Sequence, residues 1–396
     1  MTEESIVRQR LPAGPWRGAI HIQGRELPFQ MEVSSSAGDA PRVEFINGEE
    51  RVPVRDVRID GEHVSLLLPE FDTRIDGRFD GAKLEGMLSK VTTGGAGKVQ
   101  RMPVVIVPGE RHRFFAEPQA PGVDISGRWA VRFTAPDGSS HPAVGEFRQD
   151  GAEVRGTFRT PTSDHRYLAG EIRDGRLHLS AWDGYHVFLY EAEIDGDRMH
   201  GEFRSGASWR ETWTAQRDSA AKLPDMDRQT RLRDGCERIE FNLPDHEGKP
   251  LSLADARFAG KVAVVQLAGS WCPNSVDEAR FLARWYERNR DRGVEVVALM
   301  FENHPTFERN AEQLRHWRQA WNISYPALLA GSSDKQAASR VLPQLDAVRA
   351  FPTTLFIGRD GRVARIRTGF DGPATGEAYK EQIARFNATI DALLAS

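Results

Sequence analysis

Only two cysteines, Cys236 and Cys272, occur in the 396 residues, which excludes a disulfide-stapled scaffold and leaves the cysteine count silent about redox compartment. No apolar run approaches the roughly 18 residues a membrane-spanning helix needs, so no span or anchor is expected in the given chain. No extended block of one charge occurs either. Charged residues make up 28%, the formal net charge is −4, and nothing points to a nucleic-acid partner. The start, Met1-Thr2-Glu3-Glu4-Ser5, lacks the basic and apolar regions of a secretory signal and, taken literally, points to the cytoplasm. The length exceeds that at which single cores stop growing, so two or three domains are expected.

What is present first is β patterning. From about residue 14 to 217, short alternating segments are punctuated by Asp-Gly and Asn-Gly turns, with no helical stripe. A duplication lies within them at a spacing of about 114 residues: Trp16 matches Trp129, Asp60-Gly61 matches Asp174-Gly175, and Asp80-Gly81 matches Asp195-Gly196. The reading is a tandem repeat of two small antiparallel barrels or sandwiches, residues 14–116 and 124–217. The stretch Glu117-Pro118-Gln119-Ala120-Pro121-Gly122 separates them, and a polar linker, 218–235, leads to a further domain over 236–396. Trp16 and Trp129 are expected to plug the two cores. His165, His178, His186 and His200 lack a compact ligand spacing, so they are read as strand-surface residues and no metal site is expected.

The chemistry gathers at Trp271-Cys272-Pro273-Asn274-Ser275, between the apolar run Val262–Leu267 and a helical pattern carrying Phe281, Leu282 and Trp285 on one face. A cysteine at a strand-to-helix turn faces unpaired helix N–H groups, which favour the thiolate and lower its pKa. Pro273 suits the first helical turn. The run Val294–Phe301 is apolar enough for a central strand covered on both faces. A helix with Phe307, Leu314, Trp317 and Trp321 and a short strand around Tyr325–Leu329 follow.

With these motifs in place, residues 236–396 resemble the thioredoxin superfamily, in particular the TlpA/ResA-like branch of thiol–disulfide oxidoreductases. The resemblance rests on Phe241–Asp245 with Gly248-Lys249, Leu251–Leu253, Gly260–Val262, Trp271-Cys272, and Phe351-Pro352-Thr353-Thr354 before Leu355–Ile357. It implies an α/β thioredoxin-like domain after the β repeats, and a cis bond at Phe351–Pro352 that exposes the Phe351 backbone to pair with an extended substrate beside Cys272. Trp271 is expected to pack over the sulfur. The family's second active-site cysteine is replaced by Ser275, giving Cys-x-x-Ser, and serine does not resolve a mixed disulfide. Two explanations stay open: a natural monothiol relative, or a Cys-to-Ser change that traps or simplifies a dithiol site. Cys236 is read as an unpaired thiol near a domain boundary, with a distant resolving role as the alternative.

Proton transfer is the second requirement. Thioredoxin's buried Asp, six residues before the first cysteine, is here Gln266, which does not titrate; the branch's Glu after the second cysteine position is present as Glu278. Glu278 is read as a local acid or base, or as a helix-dipole partner, with Glu302 a weaker candidate. The function that follows is disulfide exchange through Cys272 with protein thiols or disulfides and a redox partner, without a cofactor, the mixed disulfide being trapped or resolved from outside. The β repeats would select a partner or mediate assembly. The resemblance favours the periplasm over the cytoplasm. The rival readings are a non-catalytic scaffold that binds a partner, and a monothiol peroxidase. The peroxidase lacks support in Gly269, which stands where its pattern needs Thr or Ser.

Overall fold

Period-two alternation becomes strand throughout the N-terminal half. The computed structural model describes residues 10–34, 41–117 and 119–396, so the opening residues 1–5 and Pro118 of the first connector lie outside the described part. Nine strands, from Gly14–Ile22 to Val99–Pro108, form one antiparallel sheet in which the first strand lies between Arg25–Ser34 and Val99–Pro108. Glu50–Pro53 and Asp56–Asp60 form its two edges, so it curls into a half-barrel. The second unit has eight strands, Gly127–Thr134 to Trp209–Arg217, and closes: Trp129 lies opposite Arg217 and Thr134 opposite Thr212.

The two units differ because their inner faces are covered differently. Trp129, Phe133, Phe158, Tyr190 and Trp213 fill the closed barrel from within. The half-barrel is covered from outside. Trp182, at the end of a barrel strand, packs on Phe29 and Phe45 with ring centroids 5.0 and 4.1 Å away. Buried Asn47 donates to the Trp182 carbonyl at 2.9 Å and accepts from its N–H at 3.1 Å. This apolar cluster continues into the C-terminal domain through Val276, Leu282 and Trp317. Trp16 and Trp129 are both buried, each donating its indole N–H to the carbonyl four residues earlier, Pro12 and Ile125.

The histidines depart from the strand-surface reading. His200 is exposed beside Glu193, but His165 packs in the barrel among Phe133, Phe203 and Tyr190, whose hydroxyl pairs with Nδ1. Burial pushes its pKa down to about 3. The chain turns inward there because Asp164 pairs back with Arg159 just before it. His178 lies against Phe114 and Phe115, and His186 stacks on Phe188 while pairing with Asp183 at 2.9 Å.

The segment after the barrel, 218–235, has no long helix or strand; its one regular element is the single turn Met226–Arg228, with Met226 buried and Asp227 paired to Arg365 at 2.8 Å. A small hairpin, Asn242–Pro244 with Pro250–Ser252, then leads into a five-stranded sheet ordered Ala327–Ser332, Val294–Glu302, Val262–Ala268, Thr353–Ile357, Val363–Thr368. The first three strands run parallel and the last two antiparallel, a thioredoxin-like arrangement. The two apolar runs are its inner strands, buried along their whole length as their composition requires. Val262 and Val264 face the helices Pro273–Asn289, Phe307–Trp321 and Glu377–Ala395, while Ala263, Val265 and Leu267 face the short helix Lys335–Val341. Phe307 is the exception on its helix, since it is exposed.

Candidate active site

The central strand Val262–Ala268 ends in a turn closed by the Cys272 N–H on the Gly269 carbonyl, and Cys272 becomes the N-cap of helix Pro273–Asn289. Its Sγ lies 3.4 Å from the Phe351 carbonyl, and the Phe351–Pro352 bond is cis. The Trp271 indole donates to the Phe301 carbonyl at 2.9 Å, which holds the ring against Phe351 with centroids 6.0 Å apart. Cys272, Pro273, Ser275, Phe351 and Pro352 all come together here, and all are buried; Trp271 is half-buried.

Burial changes the expected electrostatics. Cys272 is only 4% exposed, and desolvation pushes its thiol up rather than down, against the opposing pull of the Ser275 and Asn274 amides. The helix N-terminus is present, but removal of water outweighs it in this arrangement. Phe351 does not offer an open backbone edge: it is buried and its carbonyl faces the sulfur. Ser275 Oγ is also buried and, although beside the sulfur, makes no hydrogen bond of good geometry.

Two buried carboxyls flank this turn. Glu278 accepts from Gln266 Nε2 at 2.9 Å and from Thr354 Oγ1, and burial pushes its pKa up to about 7. It points into the domain rather than toward water, so it is not a surface partner of the helix dipole. Gln266, which also donates to the Ser275 carbonyl at 3.3 Å, links Glu278 to the active-site turn. Glu302 accepts from both the N–H and the hydroxyl of Ser270, at 3.1 and 2.7 Å, and burial likewise raises it to about 7. Cys236 is a free, half-buried thiol in a turn whose N–H bonds to Arg233.

Sequence reasoning missed the residues that the β units bring here. Arg166, from the barrel, donates to the Pro273 carbonyl at 3.0 Å and pairs with Glu50 of the half-barrel, Asp277 of the helix, and Asp183 at 3.0 Å. One guanidinium does not compensate so many acids. Despite burial, Asp183 is held down at about 2 by His186 and Arg166, whereas burial drives Asp277 up to about 7 and Asp164 to about 6. Tyr185 packs its ring 5.4 Å from Trp271, and buried Lys90 fixes it by donating to its carbonyl at 2.7 Å. A cleft of about 530 Å³ between the half-barrel and the active-site helix reaches Glu50, Arg166, Asp183 and Arg280. The nearest signal in the sequence is the run Asp164-His165-Arg166, polar residues outside any alternating segment.

Comparison with known proteins bears on the same region. The AhpC/TSA family profile matches residues 235–366. The chain is 27% identical over 138 residues to the thiol-disulfide oxidoreductase ResA of Bacillus subtilis (strain 168), an alignment covering 35% of this chain and 69% of that relative. It is 23% identical over 159 residues to ResA of Bacillus thuringiensis subsp. konkukian (strain 97-27), covering 40% and 79%. Among solved structures, a thiol:disulfide interchange protein of the thioredoxin family from Chlorobium tepidum TLS aligns with a TM-score of 0.31 at 20% identity, covering 41% of this chain and 97% of that one.

Proposed function

We propose, starting from a C-terminal thioredoxin-like domain of the ResA/TlpA-like branch, that this protein is a thiol–disulfide oxidoreductase whose reacting group is the Cys272 thiolate. The observation that carries the reading is the seat of that sulfur: N-cap of the active-site helix, 3.4 Å from the Phe351 carbonyl beside the cis proline. The thiolate attacks one sulfur of a substrate disulfide; that S–S bond breaks, a Cys272–substrate disulfide forms, and the second substrate sulfur leaves as a thiolate that takes up a proton. Glu278, held near neutrality within the site, is the local acid or base.

With Ser275 in the resolving position, an external thiol must then attack the mixed disulfide, freeing Cys272 and leaving substrate and external thiol joined. Net reduction takes a second external thiol. The partners are accordingly a protein disulfide and a thiol donor, and the compartment is the periplasm, where disulfides persist. We also read the two β units as products of one duplication, supported by the matching indole bonds of Trp16 and Trp129.

The test restores the missing sulfur. Ser275→Cys, the parent and Cys272→Ser are assayed for reduction of a model protein disulfide with a dithiol supplying the electrons, and mixed disulfides formed before its addition are followed by mass spectrometry. Turnover in the restored protein, with a Cys272-linked adduct accumulating in the parent, is the expected result. No adduct on Cys272 in either protein, under conditions in which a small alkylating agent does reach that thiol, would refute the redox reading in favour of a binding scaffold.

A further inference from the structure

We infer that the β units sit on the substrate face of the redox domain as an autoinhibitory cap, latched by Arg166, so that Cys272 reacts only when the barrel loops lift away. The inference rests on the reading of Cys272 as the reacting thiol. Three neighbouring loops make up that face: 271–274 with the sulfur, 351–352 with the cis proline, and 369–372, whose Gly369 donates to the Pro352 carbonyl at 2.8 Å. The first and third of these loops are each taken directly by the barrel, and the second is enclosed with them. Arg166 Nη1 holds the Pro273 carbonyl, and the Asp164 carbonyl accepts from Asn274 Nδ2 at 3.0 Å. On the third loop, Gly372 N–H donates to Asp164 Oδ2 at 2.7 Å, and the Thr162 carbonyl lies so close to Gly369 that a Cβ there would come within 2.3 Å of it. Tyr185 closes the remaining side over Trp271.

An extended substrate strand laid along this face would meet Arg166 and Asp164 at loop 271–274 and Thr162 at loop 369–372 while these contacts stand. The half-barrel adds a second clasp at the rim: the Gly97 N–H bonds to the Asn303 carbonyl and the Gly94 N–H to Ser333 Oγ, both at 2.8 Å. The seat over the sulfur combines the polar contacts of Asp164 and Arg166 with the aromatic contact of Tyr185 on Trp271, while Val276, Leu282 and Trp317 join the larger apolar cluster between the units. The polar contacts of the barrel loops part more readily than that apolar packing, so it is the loops and not the whole units that lift. Removing the Arg166 charge would leave Glu50 of the half-barrel and Asp277 of the helix without their shared guanidinium, with Asp183 held by His186 alone, which weakens the hold of the loops.

The experiment uses the full chain and iodoacetamide, with alkylation of Cys272 and Cys236 quantified separately by mass spectrometry, folded and in guanidinium, at neutral pH and at a pH high enough to ionise the thiol. In the folded parent, Cys272 should react at least about 100-fold more slowly than in the unfolded chain, protection that persists at the higher pH. Arg166→Gln should speed it about tenfold or more, and Tyr185→Ala, which keeps the charge cluster intact, carries the test if the arginine variant does not fold. Rapid alkylation of Cys272 in the folded parent, or unchanged protection in both folded variants, would overturn the cap. A variant that opens Cys272 to iodoacetamide yet forms no adduct with a model protein disulfide would uphold the cap and refute the redox reading.

Discussion

Replacing Glu278 with glutamine should make the protein more stable at alkaline pH, by an amount set by one buried carboxyl. The side chain is enclosed by Gln266 on the central strand, Thr354 on its antiparallel neighbour, and the more distant charge of Arg367, with Tyr325 above Gln266. Burial dominates, raising its pKa from 4.5 to about 7. Between those values the folded state binds a proton that the unfolded chain has released, so stability falls as pH rises through this window and is fully present only below it. At 1.36 kcal/mol for each tenfold change in proton affinity, the loss is about 3 kcal/mol. Glutamine does not titrate, and its amide keeps both a donor and an acceptor for Thr354 and Gln266. The measurement is guanidinium unfolding of parent and Glu278→Gln at pH 4 and pH 8. The difference between the two proteins should move by about 3 kcal/mol in the variant's favour across that range. Taking the difference cancels any fixed packing change and the parallel titrations of Glu302, Asp277 and Asp164. A difference that stays flat within about 1 kcal/mol would show that Glu278 is not held neutral by its surroundings, and would remove its claim to act as an acid near pH 7.

Gly170→Ala should destabilise the barrel by about 1–3 kcal/mol or more, because the added methyl would meet the His178 carbonyl on the paired strand at 1.8 Å; a thermal melt within a degree of the parent would show that the strands part without strain. Ser275→Ala should raise stability by about 1 kcal/mol in equilibrium unfolding, since it removes a buried hydroxyl that has no good partner. A clear loss would mean that the hydroxyl is bonded in solution.

The elements that announce themselves through composition were legible. Val262–Ala268 and Val294–Glu302 read as inner strands because almost every position is apolar, and they are buried on both faces. Cys272 read as a strand-to-helix turn because an apolar run precedes it and a helical pattern follows, and it is the N-cap of that helix. Closure was not legible: in both units the last strand meets the first, and whether the sheet ends as a barrel depends on the remaining strands pairing all the way round, which fails in the half-barrel between Glu50–Pro53 and Asp56–Asp60. The cover on the site was equally hidden. Arg166 meets Pro273 across 107 residues and Asp277 across 111, with no local pattern to mark the encounter. The expected depression of the thiol pKa meets the same limit: the helix N-terminus is written locally, whereas the burial that outweighs it depends on what the fold packs around the sulfur.

The serine and the cap bear on each other. In a dithiol site the second cysteine is already beside the first, so only the substrate needs access; the internal thiol resolves the adduct without anything further entering. With Ser275 in that place, two separate molecules must reach the same sulfur in turn, substrate first and resolving thiol second. Each must find Cys272, which is 4% exposed beneath Tyr185 and the Arg166 contacts. An adduct formed during one opening also keeps the loops from reseating, because the substrate then occupies the space that Thr162 and Asp164 fill in the closed arrangement. The cap thus limits capture while the adduct holds the cap open for the resolving thiol. The rate of mixed-disulfide formation should therefore follow the opening of the barrel loops, and the rate of resolution should follow thiol concentration alone.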